Sequence, residues 1–317
     1  MQLHCRKKCT IYSILGVYMH FLGRGGAYIN ELAASLDDYH IKKIKLMRIA
    51  FWNINNKFLI DEITELTVNE NLDLLILAEC KYSDSDIINR LSTSTSSTWN
   101  ICTKSKRIKI FARLDSKYID NFDGEFDGPS WTVTRLRAPL QSDIAIVGVH
   151  MPSKLYLDNL SQSFECVNIM SKVRKFENEK TTKKTLLIGD FNMNPFEPGM
   201  TASIGIHGIK DRTIAINQLR KIQKIKYDYF YNPMWNFLGD ASSPTGTFYY
   251  PQSVHITHFW HTFDQLLFRP HLLRYYDDTS LKIITKIGRK NLLNAKGIPL
   301  KTYSDHLPIF VSFNLIK

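Results

Sequence analysis

The sequence predicts an α/β domain of two packed mixed β-sheets with helices outside them, a four-layer α/β/β/α sandwich. Three observations carry that expectation. Short apolar runs of strand type recur from Met47 onward: MRIAFWNIN at Met47–Asn55, DLLILAEC at Asp73–Cys80, IAIVGVHMP at Ile144–Pro152, TLLIGDFN at Thr185–Asn192 and FDQLLF at Phe263–Phe268. Strand-like segments dominate both ends of this region, with the helical patterns between them. Four of the runs end in a residue able to bind a metal or move a proton, namely Asn53, Glu79, His150 and Asp190, which places function on one rim of a sheet.

Residues 1–46 read as a non-catalytic leader or helical extension, and residues 47–317 as the working domain. Arg6, Lys7 and Lys8 followed by TIYSILGVYMHFLG imitate a secretory signal, but Tyr12, Ser13, Tyr18 and His20 interrupt the apolar stretch. It is also too short to span a bilayer as a helix. The expected location is therefore cytoplasmic, with secretion as the alternative if the segment acts as a signal. The 5 cysteines are odd in number and show no disulfide-framework spacing, which fits a reducing compartment. Cys5 and Cys9 have no nearby second pair to complete a zinc site.

MRIAFWN reads as the first strand of the domain. In KFLIDEITELTVNE, Leu59, Ile63 and Leu66 repeat at helical spacing, and DLLILAE is a continuous apolar run suited to a strand buried on both faces. Between Lys81 and Pro139 the helical signal fades: STSTSSTW is loop-like, while RIKIFARL and WTVTRLRA alternate as half-buried strands do. IAIVGVH is another buried strand. The strongest helical pattern follows, with Leu160, Phe164, Val167, Met170, Val173 and Phe176 at steps of four and three, and TLLIGD then closes a strand–helix–strand unit. Beyond Asn194 the pattern predicts loops, a basic helix around Ile214–Ile225 and an aromatic, polar connection from Tyr227 to His261. FDQLLF, LKIITKI and PIFVSFNL are the late strands, and no repeat of fixed period is present.

Hydrophobic residues at 44% and charged ones at 22% exclude wholesale disorder. Lys and Arg number 41 against 30 Asp and Glu, and the resulting net charge of +11 steers polyanions toward the chain. Basic residues concentrate at Lys104–Lys109, Val173–Lys184 and Asp211–Lys226.

In their order, WNIN, LAEC, GVHMP, GDFN, FDQLLF and SDHLP resemble the motifs of the metal-dependent endonuclease/exonuclease/phosphatase superfamily, of which DNase I is a familiar member. The resemblance covers Met47 to about Phe313 and rests on motif order. It implies that Glu79 is the principal ligand of a divalent metal, with Asn53 and Asp305 as direct or water-mediated ligands and Asn55 as a weaker candidate. It implies that Asp190 positions or deprotonates the attacking water, and that Asn192 donates to charge developing on phosphorus. It further implies that His306 meets the scissile phosphate with its imidazole held by Asp264, and that His150 is a second histidine at the phosphate. Hydrolysis of a phosphate ester needs neutralised phosphoryl oxygens, an activated water and an in-line leaving group, and hard oxygen ligands favour Mg2+ or Mn2+ for that task. Taken singly, each motif has a plainer reading: an Asx turn at Asp190–Asn192, a helix cap at Asn53, a loop stop at Asp305–His306, a structural His150 or an ordinary loop acid at Asp264.

His255, His258 and His261 recur every third residue without a fourth ligand type, so they read as a loop facing substrate or solvent, and TGTFYYP as one wall of a substrate groove. The expected activity is hydrolysis of DNA phosphodiester bonds, with nucleic acid as partner, DNA favoured over RNA, and no obligate protein partner evident. A phosphatase or phospholipase C-type activity on inositol phosphate or sphingomyelin is the alternative; FDQLLF lacks the Trp-x-Asp-Arg signature of inositol 5-phosphatases. No residue of this sequence is assigned to the central Tyr of abasic-site endonucleases, and the region from Lys81 to Pro139 has no clear counterpart in the family, which argues against abasic-site repair. A non-catalytic nucleic-acid-binding module is the third reading, disfavoured because every candidate position carries a competent side chain.

Overall fold

The computed structural model describes residues 46–315 apart from Lys104, Asp123, Pro139, Leu140, Val254 and Ile256, so the expected leader and the Cys5–Cys9 pair lie outside the described residues. The first sheet runs β16 (Lys282–Ile283), β19 (Ile309–Asn314), β1 (Leu46–Asn53), β2 (Leu74–Ala78), β4 (Ile108–Ala112), β3 (Asn100–Ile101). Only β1 and β2 are parallel in it. The second sheet runs β5 (Ile119–Asn121), β6 (Trp131–Ala138), β7 (Gln141–His150), β8 (Thr185–Asp190), β15 (Asp264–Phe268), β12 (Phe230–Tyr231), β9 (Gly208–Ile209). Here β7 pairs β8 and β12 pairs β9 in parallel, and the rest are antiparallel. Three ribbons complete the strands: β10 (Leu219–Ile222) with β11 (Ile225–Asp228), β13 (Phe248–Tyr249) with β14 (Trp260–His261), and β17 (Lys286–Ile287) with β18 (Lys290–Asn291).

The two sheets pack face to face, β1, β2 and β4 lying against β7, β8 and β15. Strands covered on both faces need apolar side chains on both, which is why LLILA and TLLIGD are continuous apolar runs. Where β7 meets β4 a side chain has no room: a Cβ on Gly148 would stand 2.7 Å from Ile108 Cγ2. Parallel neighbours require a crossover, and the inner faces are taken. Helix α1 (Ile60–Asn69) therefore joins β1 to β2 over the outer face of the first sheet, followed by α2 (Asp84–Thr95). Helix α3 (Asn159–Glu179) joins β7 to β8 over the second sheet, setting Cys166, Ile169, Met170, Val173 and Phe176 against Val133, Val147, Leu187 and Leu267. Each such fully buried large side chain contributes roughly 1.5–3 kcal/mol. Two one-turn helices, α4 (Pro198–Thr201) and α5 (Arg212–Ala215), follow. This is the expected four-layer sandwich.

Four local expectations need correction. A helix, α2, occupies part of the stretch from Lys81 to Pro139: Ser83 caps it through Asp86 N, and Thr93 and Thr95 bond back to the carbonyls of Asn89 and Leu91. The expected basic helix at Ile214–Ile225 is instead α5 plus the β10–β11 ribbon, which reverses at Gln223 and Lys224, both in the left-handed region at φ 48° and 71°. Leu160 and Phe164, placed on the buried stripe of α3, are 67% and 62% exposed. The 21-residue helix rises about 30 Å whereas the 6-residue β8 spans about 20 Å, so the first turns overhang the rim. LKIITKI is not one strand but the separate β16 and β17.

Cys80, Cys102 and Cys166 are buried free thiols. Among the described residues no helix is long and apolar enough to cross a membrane.

Candidate active site

Register builds half of the site. Asp190 at the end of β8 stands directly opposite His150 on β7 and Asp264 on β15, so three adjacent strands present the three side chains in one row. From the facing sheet, Asn53 ends β1 and Glu79 follows β2, their strands aligned at Asn53 and Ala78. The turn before β19 brings Asp305 and His306: Ser304 Oγ donates to the Asn53 carbonyl at 2.7 Å and accepts from His306 N at 3.1 Å, while Trp52 Nε1 donates to the His306 carbonyl at 3.0 Å.

The two halves meet in a hydrogen-bonded network. Asn53 Nδ2 donates to Glu79 Oε1 at 3.3 Å and Asp190 Oδ2 at 3.1 Å, bridging carboxylates from opposite sheets. Its own oxygen accepts from Asn55 N at 3.0 Å. His150 Nε2 lies 3.4 Å from Glu79 Oε1 and 4.0 Å from Asp190 Oδ2. Asp264 embraces His306 Nδ1 with both oxygens, at 2.9 and 3.1 Å, and leaves His306 Nε2 facing Asp190 Oδ2 at 3.9 Å. Asn192 donates from its backbone to Asp190 Oδ1 at 2.8 Å and from Nδ2 to Met151 O and Asp190 Oδ2 at 2.8 and 3.2 Å. Its amide therefore braces Asp190, and the donor expected for phosphorus is engaged here.

The loop after β1 holds the remaining carboxylates. Asn55 Nδ2 donates to Asp305 Oδ1 at 2.8 Å, and its neighbour Asn56 donates from Nδ2 to Glu79 Oε2 at 2.7 Å and from its backbone to the Glu79 carbonyl at 2.9 Å. Asn55, Asn56 and Glu79 all have positive φ, 45°, 56° and 50°. Asparagine tolerates that region; a glutamate there is held by its surroundings, here the Asn53 and Asn56 amides.

Electrostatics separates the acids. Glu79 sits below the usual carboxylate range, chiefly through its hydrogen bond to His150 working against burial, with Asn53 and the His306 charge adding. Asp190 moves the other way because burial dominates, His306 and His150 offsetting part of the rise and Asp264 adding to it. Burial pulls His306 down, but the charges of Asp264 and Asp190 and the Asp264 hydrogen bond overcome it and lift the imidazole to about 10. Ligand atoms of Asp190, Asp264 and His306 also lie within 4.8 Å of one another. An imidazolium has no lone pair to offer a cation, so this trio is a braced histidine beside a carboxylate, and Glu79 and Asp305 are further carboxylates of the network that could hold a hard cation.

These shifts set a pH profile. In buffer containing EDTA, stability falls as pH rises from about 6.5 toward 10, because the folded-state value of His306, about 10, exceeds its unfolded 6.5. It also falls as pH drops from 6.5 toward 4, where His207 and His261, each pushed down to about 4 chiefly by burial, refuse protons that the unfolded chain accepts. Urea melts at about pH 5, 7 and 9 check this. His306→Gln flattens the alkaline limb alone, and a wild-type limb already flat would remove the charged imidazole.

Aromatics wall one side. Phe248 lies 4.7 Å from His306 and 5.4 Å from Phe263, which lies 4.6 Å from His261. His261 of the HITHFWH run thus packs into the wall, its Nδ1 3.1 Å from Asn194 Nδ2, while His258 is exposed beside Phe196.

The structure brings Asn53, Glu79, His150, Asp190, Asn192, Asp264 and His306 into one network and joins Asp305 to it through Asn55. Asn56 and Ser304 were not among the sequence candidates, although the NINN run and the SDH motif contained signals for them. Phe248 lies in the TGTFYYP run expected to wall a groove, and it stands here beside His306.

No protein-family model matches the sequence, and no curated protein matches it. Solved structures do. An AP endonuclease from Archaeoglobus fulgidus aligns at TM-score 0.51 and 12% identity, over 85% of this chain and 100% of that one. The catalytic domain of human Nocturnin, with a bound sulfate anion, aligns at TM-score 0.51 and 14% identity, over 85% of this chain and 94% of that one.

Proposed function

We propose that this chain, which has the fold of the DNase I-like superfamily, is a divalent-metal-dependent phosphodiesterase that cuts nucleic acid, DNA before RNA. The observation that carries the reading is the meeting of two half-sites: the His150–Asp190–Asp264 row of one sheet and the Asn53, Glu79, Asp305 and His306 group of the other. A +11 chain favours a polyanionic substrate.

The donor set suits a hard cation. Glu79 is held ionised and partly open to solvent, and Asn55 and Asn56 steady the Asp305 and Glu79 carboxylates by one oxygen each. Mg2+ or Mn2+ held there would neutralise charge on the phosphoryl oxygens. The chain's own groups do the rest. Asp190, fixed by three donors, orients the attacking water and takes its proton. His306 keeps its proton and, braced by Asp264, offers Nε2–H to a phosphoryl oxygen as negative charge builds. His150 stands between Glu79 and Asp190 and fills the same role from the other side.

The test is a panel of plasmid DNA, single-stranded DNA, RNA, an inositol phosphate and sphingomyelin, each with and without EDTA. The expected result is Mg2+-dependent cleavage of nucleic acid that EDTA abolishes. Glu79→Ala raises the Mg2+ needed for half-maximal rate by about tenfold or more, in line with loss of a charged ligand. Cleavage of the inositol or lipid substrate alone overturns the nucleic-acid assignment, and full activity of Glu79→Ala at low Mg2+ removes its ligand role.

A further inference from the structure

The loops that carry the acidic ligands also carry an aromatic pair that the hydrolytic chemistry does not use. Phe58 lies two residues beyond Asn56, which bonds the Glu79 carboxylate, and Tyr82 three beyond Glu79, so both belong to the loops that carry that carboxylate. Their rings meet edge to face, centroids 5.6 Å apart at 87°. Tyr82 is fixed in place, its hydroxyl accepting from Ile60 N at 3.0 Å and its carbonyl from Lys109 Nζ. Phe58 is 77% exposed. It precedes the Leu59 cap of α1, the position from which an apolar side chain usually staples onto the fourth helical residue, here Ile63. A staple would bury the ring, and this one faces water.

The surrounding charge selects a ligand. The nearby acids Asp61, Glu62 and Asp84 are each matched, by Arg90, Lys290 and Lys109. Lys57 and Lys81, which flank the two rings in sequence, are exposed and enter no ion pair among the described residues. An exposed aromatic ring with two unpaired lysines beside the rings in sequence complements a chain that carries a phosphate and a flat base at every step.

We infer that Phe58, backed by Tyr82, is a stacking platform for an unpaired nucleobase of a single-stranded DNA segment adjoining the scissile phosphate, with Lys57 and Lys81 on its phosphates. This rests on the nucleic-acid reading above and deepens it: a base inside a duplex keeps its face covered, so the platform selects single-stranded or frayed DNA at that position.

The experiment measures binding of a labelled single-stranded 12-mer, and of the same backbone made abasic, by fluorescence anisotropy in Mg2+. The full chain carries Asp190→Asn so that the probe survives. Phe58→Ala weakens binding of the normal strand by about tenfold, Phe58→Trp keeps it within about twofold, and neither changes binding of the abasic strand. Equal binding by the parent and Phe58→Ala, or an equal loss on both strands, overturns the platform. A parent that binds neither strand overturns the platform and the nucleic-acid substrate together. In that case hydrolysis of bis(p-nitrophenyl) phosphate by the wild-type chain separates the outcomes: turnover keeps the phosphodiesterase chemistry, and its absence removes that too.

Discussion

Asp190→Asn lowers the rate of phosphodiester hydrolysis by about 10³-fold with KM changed only a few-fold, the span of a lost general base. Asp190 is buried and receives Asn53 Nδ2, Asn192 N and Asn192 Nδ2, so its position is fixed while its proton affinity is raised toward working pH. An amide of the same shape fills the space and cannot take a proton. Asp190 is not one of the proposed metal ligands, so the Mg2+ concentration giving half-maximal rate stays within a few-fold. Steady-state kinetics on a defined strand over a Mg2+ series checks both halves. A variant whose KM rises while kcat is kept would show that Asp190 holds substrate and moves no proton.

Gly189→Ala destabilises the protein by more than about 3 kcal/mol, well above the typical substitution. Gly189 has φ 156°, and a Cβ there would stand 1.8 Å from the Val149 carbonyl oxygen of the parallel neighbour strand and 2.6 Å from its carbon. Backbone cannot swing aside as a side chain can, so β7 and β8 must separate at the point that sets His150 beside Asp190. Gly124→Ala is the comparison: at φ 87° it too is strained, but nothing lies within 4 Å of its Cβ, and about 1 kcal/mol is expected. Urea melts of the two variants measure the difference. Equal losses would show that backbone conformation decides and the close approach to Val149 does not.

The rim was readable in the sequence because one physical rule produced it. Strands covered on both faces must be apolar until they reach water, so a polar residue at the end of LLILA or TLLIGD announces where the sheet stops, and Asn53, Glu79, His150 and Asp190 were all found that way. The ribbon at β10–β11 was not readable. Leu219, Ile222 and Ile225 are three apart, the spacing of a helix, and the reversal uses Gln223 and Lys224 where glycine or asparagine would have signalled it. Helix α2 was hidden by its Ser and Thr content, whose propensity is poor and whose stability comes from a cap at Ser83 and burial of Ile87 and Leu91. At the site itself, the resemblance in motif order gave the residue types but not their bonds. Nothing in WNINN says that Asn53 turns its nitrogen to two carboxylates, or that Asn55 and Asn56 part to serve Asp305 and Glu79.

Asn53 joins two slabs that have no covalent connection near it. Its single amide touches Glu79 from its own layer and Asp190 from the opposite one, and so works as a gauge of their alignment. A slip of one slab over the other by less than the width of an atom would break that reach while leaving each slab's ladder whole. For the activity proposed above, the aligned seam matters as much as the integrity of either half.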